Sequence, residues 1–132
     1  MRGIMLDERA GATLVAAALI PVMLVIGIFL HDVAALYGAR GEAQTAADAA
    51  AKAAGQELTP YFGVGSDPQA AAGDFAARNG AELVECSLGG QGGFLWVTVR
   101  VSRRVDLLVL RPEGASVCAT ASCYLDLRTP NH

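Results

Sequence analysis

Three cysteines and two histidines are the residues of this chain with the most chemistry to offer. The cysteines stand at 86, 118 and 123. Cys118 and Cys123 enclose four residues, and that spacing without a nearby histidine is not a zinc site. It is not Cys-x-x-Cys either, so a redox dithiol has no support. Disulfide bonding remains. An odd number leaves one thiol unpaired or paired between chains. Cys118–Cys123 would close a short loop, whereas Cys86–Cys118 or Cys86–Cys123 would staple distant strands. The longer loops would stabilise by about 3–4 kcal/mol on chain-entropy grounds. A pair involving Cys86 is favoured, because a strand position holds that residue rigidly. His31 sits beside Asp32, and His132 is the last residue; neither has a nucleophile or second ligand beside it in sequence. Gly89-Gly90-Gln91-Gly92-Gly93 is followed by a strand pattern and by no Gly-Lys-Ser/Thr, so it reads as a turn and not a phosphate loop. These residues predict no enzyme, no cofactor and no metal.

The elements come next. Of the 132 residues, 53 % are hydrophobic and 17 % charged, and the mean hydropathy is +0.38. Those values place part of the chain in an apolar environment and exclude general disorder. A net charge of −3 leaves no basic excess for phosphates and excludes nucleic acid as the main partner. Gly11–Leu30 contains no charge. As a helix, roughly 20 residues at about 1.5 Å each span about 30 Å, a bilayer's hydrocarbon core. Pro21 in its middle is tolerated in lipid and predicts a kink near Ala17–Pro21. Arg2, Arg9 and the amino terminus lie on the short side, so the basic bias predicts N-in, C-out. Residues 1–10 are then the cytoplasmic N-terminus and 11–30 the membrane helix. The alternative is a cleaved signal peptide, with a small-residue site around Tyr37-Gly38-Ala39. It would release a secreted soluble binding domain starting near Arg40.

Residues 31–58 are alanine-rich, and alanine is the best helix former. They should extend the membrane helix outward. Arg40, Gln44, Asp48 and Lys52 recur every four residues as one polar stripe. That stripe reads as a solvated face. Ala43, Ala46, Ala47, Ala50, Ala51 and Ala54 form smooth faces that admit a second helix closely, as in a seam between like helices of an assembly. Gly38 and Gly41 could mark a bend, and Thr59-Pro60 ends the helix.

Residues 61–132 should form a small exported domain. Tyr61–Asp67 reads as a loop. Asp67 as N-cap and Pro68 at the first position start a helix that stops at Asn79-Gly80. Phe75 is its one large apolar side chain, so the helix should pack weakly and through that ring. Leu83–Leu88 reads as a strand. In Phe94–Arg103, Leu95, Val97, Val99 and Val101 alternate with Trp96, Thr98, Arg100 and Ser102: one face buried, one wet. The two strands should pair as an antiparallel hairpin, with Trp96 on the face away from the valines. Val105–Leu110 is a further apolar run, Pro112-Glu113-Gly114 a turn. Val117–Cys118 and Tyr124–Leu127 can add short strands before a polar tail. The fold class is α+β.

The N-terminal stretch resembles TadE/TadG-like proteins of the bacterial Flp (Tad) pilus system. The resemblance rests on Glu8-Arg9-Ala10-Gly11-Ala12-Thr13 and an apolar run with Pro21. It continues through Asp32-Val33-Ala34-Ala35-Leu36-Tyr37, Arg40, and Gln44-Thr45-Ala46-Ala47-Asp48-Ala49-Ala50-Ala51. Asp32, Arg40, Gln44 and Asp48 are its polar positions. Asn79-Gly80-Ala81, Cys86 and the Val97–Val101 strand are similar to the short actinobacterial-type members. Those often carry a second cysteine in the preceding helix; here there is none, so Cys86 needs another partner or stays free. Many relatives have a glycine followed by a glutamate for prepilin peptidase. Aligned on Gly11, the glutamate position holds Ala16. Another register fits: Gly3, then Ile4, with Glu8 as fifth residue of a product starting at Ile4. The resemblance implies a membrane-anchored minor pilin or pseudopilin, acting by helix packing. Its partners would be other pilus or secretion subunits and the membrane, in a homo- or hetero-oligomer.

Overall fold

The computed structural model describes residues 2–59, 67–111 and 113–128, with side chains from Ala10 onward. Pro60, residues 61–66 of the expected loop Tyr61–Asp67, Pro112 and the tail with His132 lie outside the described residues. Helix α1 spans Arg2–Glu57 and passes through Pro21 and the glycines 38 and 41 without interruption. Helix α2 spans Pro68–Arg78. Strands β1 (Glu82–Gln91), β2 (Phe94–Val105) and β3 (Ala115–Asp126) form one antiparallel sheet in the order β1-β2-β3. The class is α+β, as the residue patterns predict.

Local chemistry sets the element ends. Asp67 Oδ1 accepts a hydrogen bond from the Ala70 N–H at 2.9 Å, capping α2 above Pro68. At the other end, Ala81 N–H donates to Ala76 O and Gly80 N–H to Ala77 O, each at 3.0 Å, the double closure of a Schellman turn. Gly92 and Gly93 both have positive φ, +61° and +86°, and join Gln91 to Phe94. That is a two-residue turn of the I′ kind, whose twist matches the flanking strands. The expected five-residue glycine turn is therefore shorter. Gly89 and Gly90 are strand residues paired with Trp96 and Leu95. The two short strands expected after residue 116 are one continuous β3, and Asp106–Leu110 joins no strand.

The helices cover one face of the sheet. Val97, Val99 and Val101 point inward from the central strand and are fully buried. Their partners across the ladders are Leu88, Cys86 and Leu83 on β1, and Cys123, Ala121 and Ala119 on β3. Against them stand Ala43, Ala46, Ala47, Ala50, Ala51 and Ala54 of α1 and Ala72 and Ala76 of α2. This core is made almost wholly of alanine and valine, so the layers approach closely. Phe75 does not anchor α2: it is 39 % exposed under the Arg78 guanidinium, and Ala72 and Ala76 make the contact. Alanine's methyl is too small to keep the backbones far apart, which is why a helix with one large apolar residue can still pack tightly. The outer face is wet, as the alternation predicts. Thr98 and Ser122 hydroxyls meet there at 3.0 Å, and the Trp96 indole lies across Gly89.

Among the glycines of α1, Gly55 comes closest to the sheet: an added methyl carbon would lie 2.7 Å from Cys123 Sγ and 3.3 Å from its Cβ. Glycine to alanine inside a helix gains about 1 kcal/mol of propensity, while overpacking costs about 1–3 kcal/mol. Gly55→Ala should therefore lower the Tm in thermal unfolding, and adding Cys123→Ala should restore most of the loss. A Gly55→Ala chain more stable than the parent would contradict this packing.

Candidate functional site

Helix α1 divides into two halves with opposite surroundings. From Ala10 to His31 every residue is exposed, including Leu14, Ile20, Leu24, Val25, Phe29 and Leu30. The window meets the length and hydropathy of a membrane span, and none of it is covered by the rest of the chain. A contiguous apolar surface of that size is compatible with a membrane span. From Ala39 to Ala54 the same helix buries one side under the sheet and α2. The polar stripe stays outside: Arg40, Gln44, Asp48 and Lys52 are all exposed, and Gln44 Nε2 donates to Asp48 Oδ1 at 3.1 Å. The alanines named for helix packing do pack closely, and the partner is the chain's own α2 and sheet. A leucine at Ala47 or Ala50 would meet those elements before any neighbouring chain.

The boundary between the halves is Asp32. Its side chain is fully buried, the one charged group so placed among the described residues. Three consecutive backbone N–H groups of the β2–β3 loop point at it. Leu108 donates to Oδ1 at 2.8 Å; Val109 and Leu110 donate to Oδ2 at 2.8 and 3.0 Å. Successive N–H groups around one anion form a nest, which compensates the lost hydration. These bonds hold the carboxyl below its ordinary value of 3.8, the Leu108 N–H most and the Leu110 N–H next; burial opposes them, and Val109 and His31 assist. Leu107 and Val105 then pack on Ala35, Leu36 and Ala39, seating the loop against the helix.

A second tie joins α1 to α2. Arg103 extends the inward row of β2 and reaches the end of α2. Its Nη1 donates to Asn79 O and Gly80 O, each at 3.1 Å, and Nη2 pairs with Glu42 at 2.6 Å. A cation on the last carbonyls of a helix satisfies groups that the helix itself leaves open. Neither Arg103 nor Glu42 stands out in the sequence, because their meeting depends on the sheet register.

The cysteines do not pair. All three are free thiols. Cys118 opposes Ser102 on the outer face, while Cys86 and Cys123 are on the inner face. Inner and outer thiols therefore cannot meet. Cys86 and Cys123 lie on opposite sides of β2, about 10 Å apart at two strand spacings, beyond the reach of a disulfide. Burial and then the Asp67 carboxylate push the Cys86 thiol up, away from the nucleophilic thiolate. The favoured pairing through Cys86 is corrected by strand order. Gly3, Ile4 and Glu8 fall in the first turns of α1, their side chains outside the described residues.

The lowered carboxyl at Asp32 carries a sign. A group whose folded value is depressed contributes stability above its unfolded value and loses it as pH falls through the folded one. In detergent, Asp32→Asn should lower the Tm at pH 7. The gap to the parent should shrink below about pH 3.8, as the parent's carboxyl takes up its proton. A gap independent of pH would show that the charge is not what holds the loop.

Among known proteins, neither the curated proteins nor the solved structures offer a match to this chain. Residues 10–57 match the family model described as putative Flp pilus-assembly TadE/G-like. The matched segment is α1 itself, from the first exposed apolar turn to its end. Over that helix the chain is similar to the TadE/G-like family of Flp pilus assembly, as the residues from Asp32 to Ala51 imply.

Proposed function

We propose that this protein is a membrane-anchored, pilin-like component of a Flp-type pilus assembly or secretion apparatus, acting by helix packing and not by chemistry. The observation that carries this reading is the division of α1. One half is bare and apolar over a membrane's thickness, and the other is the spine of a folded unit. A bare apolar helix half suits either lipid or a bundle of like helices. The TadE/G-like match over the same helix supports the assignment to pilus assembly.

In this reading residues 1–10 stay in the cytoplasm, 11–30 cross the membrane, and the unit built on 31–128 is exported. Partners are other subunits, met through the exposed apolar turns of α1 and through its solvated stripe at Arg40, Gln44 and Asp48. The buried alanines are committed to the chain's own fold. Cleavage after Gly3, with Glu8 as fifth residue of the product, would place the new amino terminus at Ile4, ahead of the charged Asp7-Glu8-Arg9 and of the apolar run from Gly11.

The test is N-terminal sequencing and intact mass on membrane and culture fractions of the native protein. The expected result is a membrane-bound chain that keeps Ala12–Leu30, and a start at Ile4 adds prepilin processing. A soluble chain beginning near Arg40 would overturn the anchor.

A further inference from the structure

The Asp32 nest explains the backbone of residues 108–110 and leaves their side chains unexplained. Three N–H groups would serve the carboxylate with any side chains attached. The sequence nevertheless places Leu108, Val109 and Leu110 there, 64, 59 and 46 % exposed. The described chain leaves about half or more of each side chain open. Exposed leucine-valine-leucine on a loop tip is costly in water, where such positions are normally polar.

Their position supplies the reason. Asp32 lies two residues beyond Leu30, about 3 Å along the helix axis from the end of the apolar run. Hydrogen bonds of 2.8–3.0 Å fix the loop at that level. The direction of the sheet agrees. Val105 and Ala115, at the loop, belong with Ala35–Ala39 of α1, whereas Cys123 and Leu125 meet Gly55 at the far end. The β2–β3 loop is thus the part of the domain nearest the membrane span, and the Gly92-Gly93 turn the farthest. The apolar surface of the loop continues that of the span.

We infer that Leu108, Val109 and Leu110 form a second membrane contact, inserted at the lipid interface beside α1. The occupant is the bilayer, at the depth of the glycerol and upper acyl region. Asp106, Arg111 and Glu113 flank the loop with mixed charge, so apolar insertion and not attraction to anionic headgroups drives the contact. With α1 as one attachment and the loop as another, the domain is held against the membrane in a fixed orientation. Asp32 is the joint: it binds the loop without exposing a charge to lipid. This inference rests on the membrane reading of Gly11–Leu30.

The experiment is nuclear magnetic resonance on the unmutated full chain, methyl-labelled, at one chain per phosphatidylcholine nanodisc. Line broadening is read from two probes, a lipid carrying a nitroxide high on its acyl chain and a water-soluble gadolinium chelate. Leu24 reports the span. Leu88, 56 % exposed on β1 toward the distal end, reports an apolar side chain in water. The expected result is that Leu108 and Val109 are broadened several-fold more than Leu88 by the lipid nitroxide and less by the chelate. If Leu24 responds to the nitroxide while Leu108 and Val109 behave like Leu88, the loop contact is overturned and the span stands. If Leu24 does not respond, the span fails and takes the inference with it. Shielding of Val109 from both probes would mean that a protein surface covers it, and would also overturn the proposal.

Discussion

A carboxylate two residues beyond an apolar span is bound by three consecutive backbone N–H groups from a loop far away in sequence. Most other features depend on that contact. It fixes where along α1 the sheet begins, and so how much of the helix is left bare. It also sets the direction of the sheet, with the β2–β3 loop near the span and the β1–β2 turn away from it. A charge buried without partners would favour unfolding; with a nest around it, the charge becomes a positional lock. Asp32 does so at the point where the surroundings of the helix change.

Beyond the lock, the fold is held by smallness. The alanines of α1 and α2 meet the valines of β2 with few large side chains between them. Such a core buries little area per residue, so its stability depends on close approach and on coverage of every contact. Gly55 against Cys123 shows how little room is left. The Arg103 guanidinium completes the closure by joining β2, the end of α2 and Glu42 of α1. One long helix can then leave its first half bare and serve as structural spine with the second, because that half has somewhere to bury.

Much of this is legible in the residues. Asp67-Pro68 and Asn79-Gly80 mark α2 because capping is local chemistry. The valine alternation marks β2 because period two is local geometry. The polar stripe of α1 is exposed as its spacing implies. What sequence reading misses is long-range. The smooth alanine faces are legible as packing surfaces, but not that α2 and the sheet occupy them. Strand order and sheet face keep the cysteines apart within the chain, and spacing along the chain carries neither. The apolar run at Val105–Leu110 is visible, yet its placement needs Asp32, and a single aspartate beside an apolar segment gives no hint of three amide partners. Gly89 and Gly90 look like turn residues because glycine usually is one; in β1, Gly89 makes room for the Trp96 ring.

The central claim is that the outer half of α1 is part of one cooperative unit with the sheet and not a free stalk. Native-state hydrogen exchange on the full chain in nanodiscs tests it directly. The amides of Ala43–Ala54 and of Val97–Val101 should exchange through the same global opening, with equal free energies and equal response to denaturant. If the Ala43–Ala54 amides exchange through a separate, lower-energy opening while those of the sheet stay protected, the helix is a stalk and the account is contradicted.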